Sequence, residues 1–122
     1  MYDYISTLHK EKEVVMSFFD IDTETIVFKF ENGYGAEIIR NIDIKTYDDP
    51  TEIYNSFVLK TIKFTEDLNY KATCDIPLFE RKRPYLSEPL IRKYLSIIKD
   101  FNKFGDGGVY IGPKYKTHYH VF

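Results

Sequence analysis

Tryptophan is missing from this 122-residue chain, cysteine occurs once, at Cys74, and alanine only twice. A lone cysteine excludes an intrachain disulfide framework, so stability has to come from a packed core. No apolar run approaches the ~18 residues that a membrane-spanning helix needs, and no secretory-type segment opens the chain. A dominant charge sign is lacking too. The 17 basic and 19 acidic residues leave a net −2, which fits neither a polybasic protein nor a strongly acidic mimic of DNA. Internal repeats, low-complexity segments and composition shifts are absent, so one domain spanning 1–122 is expected. What is present suffices for it: 14.5 kDa and 43% hydrophobic residues allow a real core and exclude wholesale disorder. The expectation is a soluble, cytoplasmic chain with no membrane contact.

Isoleucine occurs 14 times and lysine 13 times, and 11 tyrosines and 10 phenylalanines make up the 17% aromatics. These are residues of A/T-rich codons, which points to low-GC bacteria, their phages and their plasmids. Charge is uneven along the chain. Residues 1–50 carry eleven acids and five bases, whereas residues 81–122 carry three acids and nine bases. Such polarity can steer a partner toward one face, provided folding does not interleave the two parts.

The clearest local pattern lies between Thr25 and Arg40. Ile26, Phe28 and Phe30 alternate with Val27, Lys29 and Glu31, the period of a half-buried strand, and Asn32-Gly33 marks a turn. A three-residue loop, Glu31-Asn32-Gly33, pairs Phe30 with Tyr34, Phe28 with Ala36 and Ile26 with Ile38, giving one continuous apolar face. It assigns Gly33 the left-handed position, so Gly33→Ala is expected to cost more than Asn32→Ala. Val14 to Phe19 reads as a preceding strand, with Asp20 to Thr23 as its turn. Residues 1–12 read as a frayed turn or short helix. Ile53 to Phe64 reads as a long strand after an Asp48-Asp49-Pro50 turn. Thr65 to Arg83 reads mostly as irregular connection, with Cys74 to Phe79 as a short edge strand. Ser87 as N-cap, Glu88 and Pro89 open a helix over about 87–101, whose Leu90, Ile91, Tyr94, Leu95, Ile98 and Phe101 share an apolar face. Gly105-Asp106-Gly107-Gly108 ends it, and Val109 to Ile111 with Tyr115 to Phe122 suggest a terminal strand pair. The expected fold is α+β: a mainly antiparallel sheet of about five strands with that one helix packed across it.

The stretch Phe30-Glu31-Asn32-Gly33-Tyr34-Gly35-Ala36-Glu37-Ile38-Ile39-Arg40 resembles a hairpin of small uncharacterised proteins of phages, plasmids and related mobile elements. Those proteins continue with an apolar strand, a proline-containing stretch and a helix near the end. Phe57-Val58-Leu59, Asp75-Ile76-Pro77 and Tyr85 through Leu95 correspond to them, within residues 26–101. The resemblance implies an origin and a fold and supplies no catalytic residue.

Chemistry-bearing groups are sparse. His118 and His120 share one side of a strand and would hold a metal if Cys74, His9 or an acid added a third ligand; incidental histidines on an exposed strand are the plainer reading, and no cofactor is expected. Cys74 lacks the flanking signature of a thiol nucleophile. The glycines at 105–108 follow a helix, whereas a phosphate loop precedes one. Arg81, Lys82, Arg83 and Tyr85, together with Lys114, Tyr115, Lys116 and Tyr119, form a basic, tyrosine-rich set. It suits a protein surface, or the phosphates and bases of single-stranded nucleic acid, or merely a solvated loop and a half-buried strand. The expectation is a non-enzymatic accessory protein of a phage or mobile element that binds a bacterial host macromolecule. Its sharpest form is an inhibitor of a host defence complex such as a CRISPR–Cas effector. The alternatives are a small nucleic-acid-binding regulator and, third, a metal-dependent enzyme.

Overall fold

The alternating run at Ile26, Phe28 and Phe30 and the turn after it build the centre of the molecule. In the computed structural model, which describes residues 6–76 and 85–101, β2 (Thr23–Lys29) and β3 (Tyr34–Asn41) pair antiparallel, with Ile26 opposite Ile38 and Phe28 opposite Ala36. Phe30 N–H donates to Tyr34 O at 2.8 Å, and Gly33 closes the three-residue loop at φ +87°. Register and glycine conformation are therefore those expected. Asn32 does more than turn the chain. Its amide donates to Ile98 O at 2.8 Å and Phe101 O at 2.9 Å, and its oxygen accepts from Tyr34 N.

β1 (Val14–Phe19), β4 (Val58–Glu66) and β5 (Asn69–Ala72) complete a five-stranded antiparallel meander in chain order β1-β2-β3-β4-β5. The expected long strand from Ile53 splits, and its first part is a 3₁₀ helix, Pro50–Asn55. Asp49 caps that helix by accepting from Thr51 N at 3.0 Å, and Pro50 presets its first φ, so the local signal overrides β propensity. The edge strand also shifts. It lies at Asn69–Ala72 inside the stretch read as irregular, and among the described residues of Cys74–Phe79 no strand forms. Short 3₁₀ helices occupy Thr7–Lys10 and Ile44–Thr46. Leu8 in the first is fully buried, so this segment belongs to the core.

α1 (Glu88–Asp100) starts at Ser87, whose hydroxyl accepts from Leu90 N. It packs Ile91, Tyr94, Leu95 and Ile98 over Ile26, Phe28, Ile38 and Leu59 on one face of the sheet. The architecture is α+β, one sheet and one principal helix. Among the described residues no helix is long and apolar enough to cross a membrane. The expected terminal strand pair, 109–111 and 115–122, lies outside the described residues.

Among the described residues, folding brings acids of the first part of the chain against bases of later parts. Arg92 reaches Glu11 at 2.7 Å, Lys99 reaches Glu13 at 2.9 Å, and Lys60 reaches Glu37 at 3.5 Å. Glu88 takes hydrogen bonds from Ser6, Thr7 and Arg92. Burial alone would raise the Glu88 carboxyl, but those donors outweigh it and hold the group below its ordinary range. The Lys99 ammonium holds Glu13 down in the same way.

Candidate interaction surface

In a β-ladder, residues directly opposite one another share a face. Two steps from the Ile26–Ile38 pair, the register sets Glu24 against Arg40 on the helix-covered face. Both are buried, at 1% and 3% exposure. The Arg40 guanidinium donates to Glu24 Oε1 from Nε at 3.0 Å and from Nη2 at 2.7 Å, reaches Ile53 O, and stacks 4.3 Å from the Phe57 ring centroid. His9 Nε2 lies 2.5 Å from Glu24 Oε2, and Ser6 N–H reaches the same oxygen. Glu24, Arg40 and His9 are thus committed to one another inside the fold.

On the opposite face the register lines up Phe18, Thr25, Ile39 and Val58 in one row across four strands. Three strand spacings make it about 14 Å long. Phe18 and Val58 at its ends are 48% and 41% exposed. At the Val58 end the row runs into a groove of about 680 Å³, lined by Ile39, Asn41, Tyr47, Glu52, Val58 and Tyr85 among others. Local chemistry shapes each wall. Tyr47 hydroxyl donates to Asn41 O, Asp43 caps the Ile44–Thr46 turn that presents Tyr47, and Asp49 starts the helix that carries Glu52. Leu86 forms a two-hydrogen-bond bridge with Phe57, N–H to O at 3.0 and 2.8 Å, which fixes Tyr85 beside the start of β4. Tyr85 is 65% exposed, and Tyr54, on the 3₁₀ helix that carries Glu52, is exposed as well. Residues 43–52 carry Asp43, Asp48, Asp49 and Glu52 against Lys45 alone. Hydrogen bonds from Thr51 hold the Asp49 carboxyl below its ordinary value, so it stays ionised.

Farther along that face, Tyr70 donates to Glu37 at 2.8 Å and its ring lies 5.3 Å from that of Phe64. Burial, then the Glu37 carboxylate, push the Tyr70 phenol up to about 12. Burial and Asp75 raise Tyr34 likewise, so both phenols keep their protons and act as donors.

Of the residues singled out in the sequence, Tyr85 falls on the groove. Arg81, Lys82, Arg83, Lys114, Tyr115, Lys116 and Tyr119 lie outside the described residues, as do His118 and His120. Cys74 is exposed, and His9 is held by Glu24. Among the described residues, no three His, Cys, Asp or Glu side chains converge on a metal position. Sequence reasoning missed Phe18, Ile39, Tyr47 and Val58, together with the Glu24–Arg40 pair. The last was within reach, since the expected register pairs these two opposite charges once it is extended by two residues. Comparison with known protein families, with curated proteins and with solved structures finds no match to this chain.

Proposed function

We propose that the chain is a non-enzymatic binding protein whose partner is another protein, docked in the groove beside Tyr85. The observation that carries the reading is the apolar pair Ile39–Val58, next to Thr25 in the same row, running into a groove walled by Tyr47 and Tyr85. Apolar ground edged by tyrosine and amide groups suits a protein interface, where aromatic anchors sit in a partly polar rim. Charge favours a protein over a nucleic acid. Four carboxylates against one lysine on residues 43–52 repel phosphates and welcome a basic protein patch. The narrower form of the proposal rests on composition and on the hairpin resemblance. In it the partner is a bacterial host complex, and the chain is a phage or mobile-element inhibitor of a defence assembly such as a CRISPR–Cas effector.

Site-specific photo-crosslinking in a low-GC bacterial host tests the reading. With benzoylphenylalanine at position 85, one discrete protein adduct is expected, lost when Val58→Glu is added. The same probe at position 71, on the far edge strand, should leave that adduct unformed. Crosslinks to nucleic acid alone, or adducts indifferent to Val58→Glu, would overturn it.

A further inference from the structure

We propose that β1 is a self-association edge, across which two copies of the chain join their sheets antiparallel about a two-fold axis at Ser17. The inference stands on observations separate from the groove. Asp20 N–H donates to Thr23 O, and this sets the alternation along β1. Phe18 and Met16 turn their backbone groups toward β2, and Ser17 turns its N–H and C=O outward. Natural edge strands usually carry a lysine, another charge or a proline that discourages pairing. Val14–Phe19 reads Val-Val-Met-Ser-Phe-Phe and carries none of them. Val15, Phe18 and, in the adjoining turn, Ile21 are exposed apolar side chains along it.

The occupant that matches this edge is β1 itself. Pairing Ser17 with Ser17 of a second copy joins outward-facing backbone groups in both chains. Phe18 of each chain then meets Met16 of the other on the same face, a thioether-to-ring contact at the seam. Lys12, just before β1, arrives at the turn of the other copy that carries Asp20 and Asp22, so opposite charges meet at both ends. The bulge between Val14 and Met16 limits the paired length, which keeps the association weak.

Sedimentation velocity on the full chain, over a rising concentration series in the micromolar range, tests this. A shift from 14.5 kDa toward twice that mass is expected as concentration rises. Ser17→Pro removes an outward N–H and no bond to β2, and should weaken the dimer at least tenfold with an unchanged circular dichroism spectrum. Should that variant misfold, Phe18→Lys gives the same reading by setting like charges close together at the seam. Lys12→Asp and Asp22→Lys chains should each dimerise poorly alone and better when mixed. A monomer throughout the range, or a dimer indifferent to both Ser17→Pro and Phe18→Lys, would overturn the proposal.

Discussion

Glu24 and Arg40 show what one side chain can cost in this fold. Replacing Glu24 with Leu strips two hydrogen bonds from a guanidinium that is 3% exposed and leaves its charge in a low-dielectric interior. A loss of about 3–5 kcal/mol is expected by urea denaturation. The double variant Glu24→Leu/Arg40→Met, which removes both charges, should recover a large part of it. Equal losses in the single and double variants would show that the pair's shape matters more than its charge. The turn offers a second comparison. A Cβ on Gly33 meets nothing within 4 Å, so Gly33→Ala costs only its left-handed strain, about 1 kcal/mol. Asn32→Ala loses hydrogen bonds to Ile98 O and Phe101 O and the acceptor for Tyr34 N–H, about 1–3 kcal/mol in all. The structure thus reverses the ranking that turn chemistry alone suggests. Chemical denaturation of the two variants decides the order.

At the scale of elements, α1 is held by its apolar face and by the charges that flank it. Leu95→Ala should cost about 2–5 kcal/mol, because Leu95 is 7% exposed and packed in the main core. A thermal midpoint unchanged from wild type would place that face elsewhere. Glu88 gives the helix a pH response. Its folded carboxyl lies below the ordinary 4.5, so the stability it contributes is complete above that value and disappears as pH falls through the folded one. Between pH 5 and 3 (about the carboxylate range), wild type should therefore lose stability more steeply than Glu88→Gln, as followed by urea midpoints. The hairpin and the helix were legible in the sequence because their signals are local: period-2 alternation around Asn-Gly in one, and Ser87 before a 3.6-residue pattern in the other. The segment from 50 to 56 was not, because its isoleucine and tyrosine advertise a strand while Asp49 and Pro50 start a 3₁₀ helix. Phe18, Ile39 and Val58 form a row only through pairings among four strands, which no single window of sequence contains.

On the scale of the whole molecule, the division of charge along the chain is bridged by ion pairs among the described residues. Glu11 and Glu13 from the acidic part are matched by Arg92 and Lys99 from the basic part, and Glu37 is matched by Lys60. Among the described residues, the acidic stretch 43–52 beside the groove is a local patch that can steer a partner. The bridge between Phe57 and Leu86 bears on how freely the molecule can vary. Two backbone hydrogen bonds close a loop that begins at the base of β4 and returns at the threshold of α1. Because both are main-chain bonds, they hold position 85 beside the groove whatever side chain stands there. Tyr85 is exposed, so Tyr85→Ala should leave the thermal midpoint nearly unchanged, within about 0.5 kcal/mol, which calorimetry would check. A lineage carrying this fold could exchange that one residue to suit a new target, on a scaffold that need not be rebuilt.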